Sequence, residues 1–171
     1  TKPMKKMLLL GMLSAFLFSC KNNSKIEIVD RAFYYWKSDD SSLKDNEQEI
    51  IDTLKIKKMY FKFFEVKHDE TMGNITISKT DFYSNMSDDS SKKKGSWIIV
   101  PTMFIKNDVF IKSSKKEIDT LASNINHLIS KIYKEKFSNY NNYNEVQIDC
   151  DWTLKSKDNY FYFLKALASL S

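Results

Sequence analysis

Two segments decide the fold of this chain: Trp97-Ile-Ile-Val-Pro-Thr-Met-Phe-Ile105 and, after it, Ser114-Lys-Lys-Glu-Ile-Asp-Thr-Leu-Ala-Ser-Asn-Ile-Asn-His-Leu-Ile-Ser-Lys-Ile-Tyr133. The first segment is almost continuously apolar, which is typical of a strand covered on both faces. Pro101 removes one backbone donor from that strand and therefore predicts a bulge or a local edge. The second segment opens with a capping box and predicts a helix with an unbroken apolar stripe, opposite which His127 faces solvent.

The same alternation of strand and helix patterns extends to both sides of this stretch. Apolar and aromatic runs predict strands, and apolar residues at helical spacing after a Ser cap predict helices. The predicted strands are 31–37, 59–66 and 145–153, with a short one at 74–78, and the predicted helices are 43–54 and a last one after Ser156.

Strands separated by helices imply right-handed crossovers and a mostly parallel sheet. We therefore predict an α/β fold with crossover helices, either a small open sheet or the N-terminal half of a (β/α)8 (TIM-like) barrel, which usually takes about 250 residues. We favour the half-barrel because the sequence ends on an apolar helix with no polar tail. On this view the domain at 30–171 is truncated at its C-terminus.

Composition excludes several classes of function. The 171 residues are 42% hydrophobic, enough for a packed core. Residues 20–171 hold 24 basic and 22 acidic residues, and Arg31 is the only arginine. Because nucleic-acid binders concentrate positive charge and favour arginine, we expect no nucleic-acid partner, and the run Lys92–Lys94 is interpreted as a solvated loop. No phosphate loop, zinc spacing or Ser-His-Asp signature is present, so we predict no cofactor and no metal.

The N-terminal segment has the pattern of a secretory signal peptide. Lys5 and Lys6 precede an apolar stretch from Met7 to Phe18, and a small residue, Ser19, precedes Cys20. The apolar stretch is shorter than the roughly 20 residues that a membrane-spanning helix needs.

Leu17-Phe18-Ser19-Cys20 resembles the lipobox of bacterial lipoproteins. The resemblance implies a signal peptide at 1–19, lipid attached to Cys20, a tether at 20–29, and a membrane as partner through that anchor. The expected location is the cell envelope, at the outer membrane of a Gram-negative, Bacteroidetes-like bacterium. The alternative is an ordinary signal peptide with an incidental cysteine. Lipid on Cys20 would leave Cys150 without a disulfide partner, so we interpret Cys150 as a small buried hydrophobe, with a catalytic thiol as the alternative.

Residues 145–153 alternate between polar and apolar side chains without exception. Asp149 and Asp151 are therefore expected on one strand face, about 7 Å apart along the strand. In a barrel interior, repulsion between neighbouring carboxylates favours a proton on one of them, which suits general acid/base catalysis. Asp151 is predicted as the acid/base or substrate contact and Asp149 as the group that orients it. The alternative is a strand whose polar side is simply solvated.

Four further residues are candidates for ligand binding. Tyr34 and Trp36 share one strand face and could stack on a sugar, although core aromatics would show the same pattern. Lys62 lies inside an apolar strand, where it could neutralise Asp149 or extend to solvent at a sheet edge. Glu65, together with His68, falls where rim residues of a barrel would lie, or in exposed loop positions.

Gln147-Ile-Asp-Cys-Asp-Trp-Thr153 resembles the fourth strand of family-18-type glycoside hydrolases, where alternating acidic residues line a barrel. It is also similar to strands of uncharacterised Bacteroidetes lipoproteins with barrel-like sequences. Thr153 stands where those hydrolases carry their acidic Glu, so only Asp149 and Asp151 match. The resemblance implies a sugar-binding protein or an altered hydrolase. A non-catalytic surface or periplasmic lipoprotein with a structural or interaction role remains the alternative.

The lipobox resemblance predicts that replacing Cys20 abolishes lipidation. Cys20→Ser should block incorporation of a palmitate analogue and release the protein from the membrane fraction, because acyl chains contribute about 0.8 kcal/mol per buried CH₂. Cys150→Ser serves as the matched control and should leave labelling unchanged. A Cys20→Ser protein that still labels and still sediments with membranes would contradict the prediction.

Overall fold

Five strands and four helices make up the part of the chain that the computed structural model describes, residues 30–37, 43–82, 98–137 and 142–170. The strands are β1 (Ala32–Tyr35), β2 (Lys58–Asp69), β3 (Gly73–Ile77), β4 (Ile98–Ile105) and β5 (Gln147–Asp149). The helices are α1 (Asp45–Thr53), α2 (Asn107–Lys112), α3 (Lys115–Lys136) and α4 (Lys157–Ala168). The predicted signal peptide, Cys20 and the run Lys92–Lys94 lie outside the described residues.

The strands form one curled, mostly parallel sheet in the order β1-β2-β4-β5. All three pairings along this path are parallel. β3 is the exception, because it turns back after β2 and pairs with it antiparallel along the edge that β1 leaves free. The predicted α/β fold with a mostly parallel sheet is therefore confirmed.

The hydrophobic core lies between one face of this sheet and the helices. The stripe predicted on α3 is buried there, and His127 is exposed, as expected. The cap is also as predicted: the Ser114 hydroxyl accepts from the Glu117 amide, while the Glu117 carboxylate accepts from the Ser114 amide. The sheet residues in the core alternate along the strands except at Phe63 and Phe64, and they are Tyr35, Met59, Phe61, Phe63, Phe64, Val66, Ile99, Met103 and Ile105.

A bulge interrupts the pairing of β2 with β4. Lys62 pairs with Thr102 and Phe64 pairs with Met103, so Phe63 is an extra residue. The Phe63 carbonyl still accepts a hydrogen bond, because the Thr80 amide donates to it at 2.9 Å. The Thr80 hydroxyl donates to the Lys62 carbonyl at 2.6 Å. The segment after β3 thus fills the edge of β2 between its pairings with β1 and β3.

Pro101 is accommodated by a local edge. The amides of Ile98 and Lys106 donate to β2, so alternation turns the nitrogen of Pro101 toward β5. β5 begins opposite Thr102, one residue later. The missing donor therefore removes no ladder hydrogen bond.

The strand predicted at 145–153 is much shorter than expected. Pairing begins at Gln147, where Pro101 no longer faces the neighbour, and ends at Asp149. β4 stops at Ile105 and the chain enters α2, so β4 offers no strand residues with which the segment after Asp149 could pair. None of the four described helices is both long and apolar enough to cross a bilayer.

Candidate ligand-binding face of the sheet

The second face of the sheet carries the polar and aromatic side chains, and no described helix packs on it. We call it the open face; it comprises Tyr34, Trp36, Lys58, Tyr60, Lys62, Glu65, Val100, Thr102, Phe104, Gln147 and Asp149, with Glu145 beside it. Strand register aligns them in rows, such as Tyr34–Tyr60–Val100 and Glu65–Phe104–Asp149. Val100 lies outside the core cluster, as expected of a residue on the opposite face, and it is buried there together with Thr102.

Five of the residues proposed from sequence meet on the open face. Tyr34 and Trp36 come from β1 and its end, Lys62 and Glu65 from β2, and Asp149 from β5. Asp151, the sixth candidate, is exposed and lies two residues beyond the end of its strand. The alternation predicted that Asp149 and Asp151 share one strand face, but Asp151 lies outside the strand.

The bulge at Phe63 brings Lys62 and Glu65 together. In a regular strand, residues three apart point to opposite faces. The extra residue reverses the alternation, so both side chains lie on the open face, with the Lys62 ammonium 2.5 Å from the Glu65 carboxylate. Lys62 is only 8% exposed, and its Nζ lies 6.0 Å from the centre of the Trp36 ring. The expected partner of Lys62, Asp149, is therefore replaced by Glu65.

A second ion pair was not foreseen from sequence. Lys58 donates to one Glu145 oxygen at 2.6 Å, and the Tyr60 hydroxyl donates to the other at 2.7 Å. These hydrogen bonds lower the pKa of Glu145 and raise that of Lys58. Tyr60 also stacks on Tyr34, with ring centres 4.5 Å apart. The spacing of Lys58, Tyr60 and Lys62 at every second position of an apolar strand was the signal available.

Asp149 stands at the carboxyl end of the open face. It is half-buried and pairs in register with Phe104, whose other neighbour is Glu65. In the described part of the chain, no lysine or arginine forms an ion pair with Asp149. An aromatic ring thus lies between two carboxylates at this end of the sheet.

Cys150 and His68 lie away from this face. Cys150 is half-buried against the core, and desolvation raises the pKa of its thiol to about 11, with smaller contributions from Asp151 and Asp149. Such a thiol favours the role of a small hydrophobe over that of a nucleophile. His68 Nδ1 bonds the Asn74 side chain, whose amide donates to Ser113. Asn74 lines a separate cleft of about 550 Å³ beside the first turn of α3.

The Glu145 contacts predict a defined pH dependence of stability. Because the pKa of Glu145 is lowered in the folded protein, the ionised carboxylate stabilises the fold at pH values above 4.5, the ordinary pKa of a glutamate. This stabilisation is lost as the pH falls through the lowered pKa. Glu145→Gln should therefore cost less than about 1 kcal/mol near neutrality, with the deficit vanishing in acid. Urea unfolding between pH 7 and pH 3 measures this difference in stability. Glu49→Gln, a change at an exposed position of α1, is the control. A deficit that stays constant with pH would contradict the assignment.

The open face presents aromatic rings together with hydrogen-bond donors and acceptors that ion pairs hold in place. Among the described residues, no three His, Cys, Asp or Glu side chains are grouped so that they could hold a metal ion. The chain matches no protein-family model, no curated protein and no solved structure. Any function assigned to it therefore rests on its own residues.

Proposed function

We propose that this protein is an exported lipoprotein, anchored through lipid on Cys20, that binds glycans on the open face of its sheet. One observation carries the proposal. Five of the six residues that the sequence offers as catalytic or binding candidates, from three separate segments of the chain, lie on the one sheet face that no described helix covers.

The aromatic side chains suit a sugar. Pyranose rings present apolar C–H faces that pack on aromatic rings and hydroxyls that need hydrogen-bond partners. Tyr34 and Trp36 are 46% and 41% exposed, although both flank a well-packed sheet. The stack on Tyr60 holds Tyr34 in one orientation, so its ring is preorganised for a ligand.

The polar groups are held equally firmly. The carboxylates of Glu65 and Glu145 are oriented by Lys62 and Lys58, and each retains lone pairs that can accept from hydroxyl groups. Gln147, which is half-buried, adds an amide in register with the buried Thr102. Asp149 extends this row of acceptors at the carboxyl end, where parallel sheets usually bind ligands. Binding needs only this arrangement, whereas hydrolysis would further require a proton donor at Asp149 or Asp151.

The finer fold assignment also belongs to this proposal. We infer that the described sheet corresponds to the first half of a (β/α)8 barrel, with the open face toward the barrel interior. The support is the sequential order of four parallel strands with their helices on one side. A barrel would deepen the open face into a cavity whose rim holds Trp36 and Asp149.

The barrel assignment predicts protection of the outer edge of β5. The register turns the amide of Ile148 away from β4, and a barrel would pair it with a further strand. In hydrogen exchange on the full-length protein, Ile148 should exchange slowly, like Val100 inside the sheet. Rapid exchange at Ile148 alongside a protected Val100 would instead favour an open sheet.

The glycan proposal predicts that loss of Trp36 weakens binding without unfolding the protein. Trp36→Ala should reduce affinity for oligosaccharides at least about tenfold, because large aromatics dominate binding energies. Trp152→Ala is the matched control, since Trp152 is 42% exposed but packs on Tyr160 and Phe161 of α4, away from the open face. A glycan-array screen followed by titration calorimetry measures both.

Three results would contradict the glycan proposal. The first is the absence of any oligosaccharide that binds the full-length protein. The second is an equal loss of affinity in both variants, and the third is a Trp36→Ala protein with undiminished affinity. Each would favour the alternative of a lipoprotein with a structural or interaction role. Melting temperatures of the two variants check that any loss of binding does not arise from unfolding.

A further inference from the structure

The open face holds two ammonium groups in the same chemical setting. Lys58 contacts the Glu145 carboxylate at 2.6 Å and lies 6.0 Å from the centre of the Tyr60 ring. Lys62 contacts the Glu65 carboxylate at 2.5 Å and lies 6.0 Å from the centre of the Trp36 ring. In both cases a carboxylate neutralises the cation and an aromatic ring adds cation–π attraction.

A third combination of carboxylate and aromatic ring lacks its lysine. Asp149 and Phe104 are direct register partners on β5 and β4, which places their Cβ atoms about 5 Å apart. Both residues are half-buried, and within the described residues no lysine or arginine forms an ion pair with Asp149. Since Lys62 and Lys58 each engage one glutamate, Asp149 is the carboxylate of the open face whose charge is left uncompensated.

We propose that the Asp149–Phe104 position receives an ammonium group of the ligand, so that the open face selects glycans that carry free amino groups. This inference rests on the proposed glycan-binding function and adds the chemical class of the sugar. The ligand amine takes the place that Lys58 and Lys62 take at the other two positions. At this position a carboxylate and an aromatic ring replace the water around the ligand ammonium, and these are the two groups that compensate an ammonium best.

The geometry also sets a minimum size for the ligand. Trp36 follows β1 and Asp149 ends β5, three strand spacings away, which amounts to about 14 Å. A single sugar cannot contact both residues. The ligand is therefore an oligosaccharide whose stacked residue lies on Trp36 and whose amino-bearing residue lies near Asp149.

Charge should separate three families of saccharide. A free amine gains the attraction of Asp149, an N-acetylated amine gains only packing, and a uronic acid is repelled. The selectivity should weaken as salt is added, because partly exposed charges are screened.

The test uses titration calorimetry to compare the affinities of the full-length protein for three oligosaccharides of the same length. These are a glucosamine oligosaccharide, its fully N-acetylated counterpart and a uronic acid oligosaccharide. We expect the amine form to bind about five- to tenfold tighter than the acetylated form, and the uronic acid form to bind weakest. Asp149→Asn should reduce this preference to about onefold, because it removes the charge that distinguishes the amine form from the acetylated form. Asp158→Asn, an exposed change in the first turn of α4, should leave the preference intact.

The outcomes separate the two proposals. Equal binding of the amine and acetylated forms, or a preference that survives Asp149→Asn, would overturn the ammonium assignment and leave glycan binding standing. No binding of any saccharide would overturn both. Spermidine, an amine without a sugar, tests the remaining possibility, and binding as tight as that of the amino oligosaccharide would show that the face recognises cations of another class.

Discussion

The extra residue in β2 determines what the open face can do. Without the bulge at Phe63, Glu65 would point into the helix-covered core and Phe64 would face outward. The buried Lys62 would then lose its carboxylate partner, and an uncompensated ammonium inside a protein costs several kcal/mol. The bulge is stabilised in turn by Thr80, which is itself buried and bonds two carbonyls of β2. The pairing of strands and the chemistry of the face therefore depend on the same short segment after β3.

The two faces of the sheet are stabilised by different interactions. The helix side excludes water by packing aliphatic and aromatic residues against α3 and α4, with Phe63, Phe82 and Phe137 forming a cluster of rings at one end. The open side keeps charges close to the sheet, and ion pairs compensate most of them. Lys58 and Lys62 are each paired with a glutamate. A face assembled from fixed ion pairs loses little conformational entropy when a ligand binds, which favours recognition over flexibility.

Local patterns in the sequence predicted the fold more fully than the contacts on the open face. The helix at α3 followed from its capping box and its stripe, because both signals depend on residues four or fewer positions apart. The length of β5 did not, since it is limited by where β4 ends and by Pro101, both more than 40 residues away in the chain. The Lys58–Glu145 pair joins residues 87 positions apart, and the bulge that unites Lys62 with Glu65 leaves no mark in an apolar run. Periodicity identifies the face of a side chain, but partners across strands depend on register.

The desolvated thiol of Cys150 has a consequence for the redox chemistry of the protein. A rise in its pKa from 9.0 to about 11 lowers the fraction of thiolate at neutral pH about a hundredfold. Because thiolate is the species that attacks disulfides and meets oxidants first, Cys150 is kinetically protected against mixed disulfides and sulfenic acid. Burial beside Val146 and Ile148 therefore lets Cys150 persist in its reduced form under conditions that oxidise exposed, unpaired cysteines.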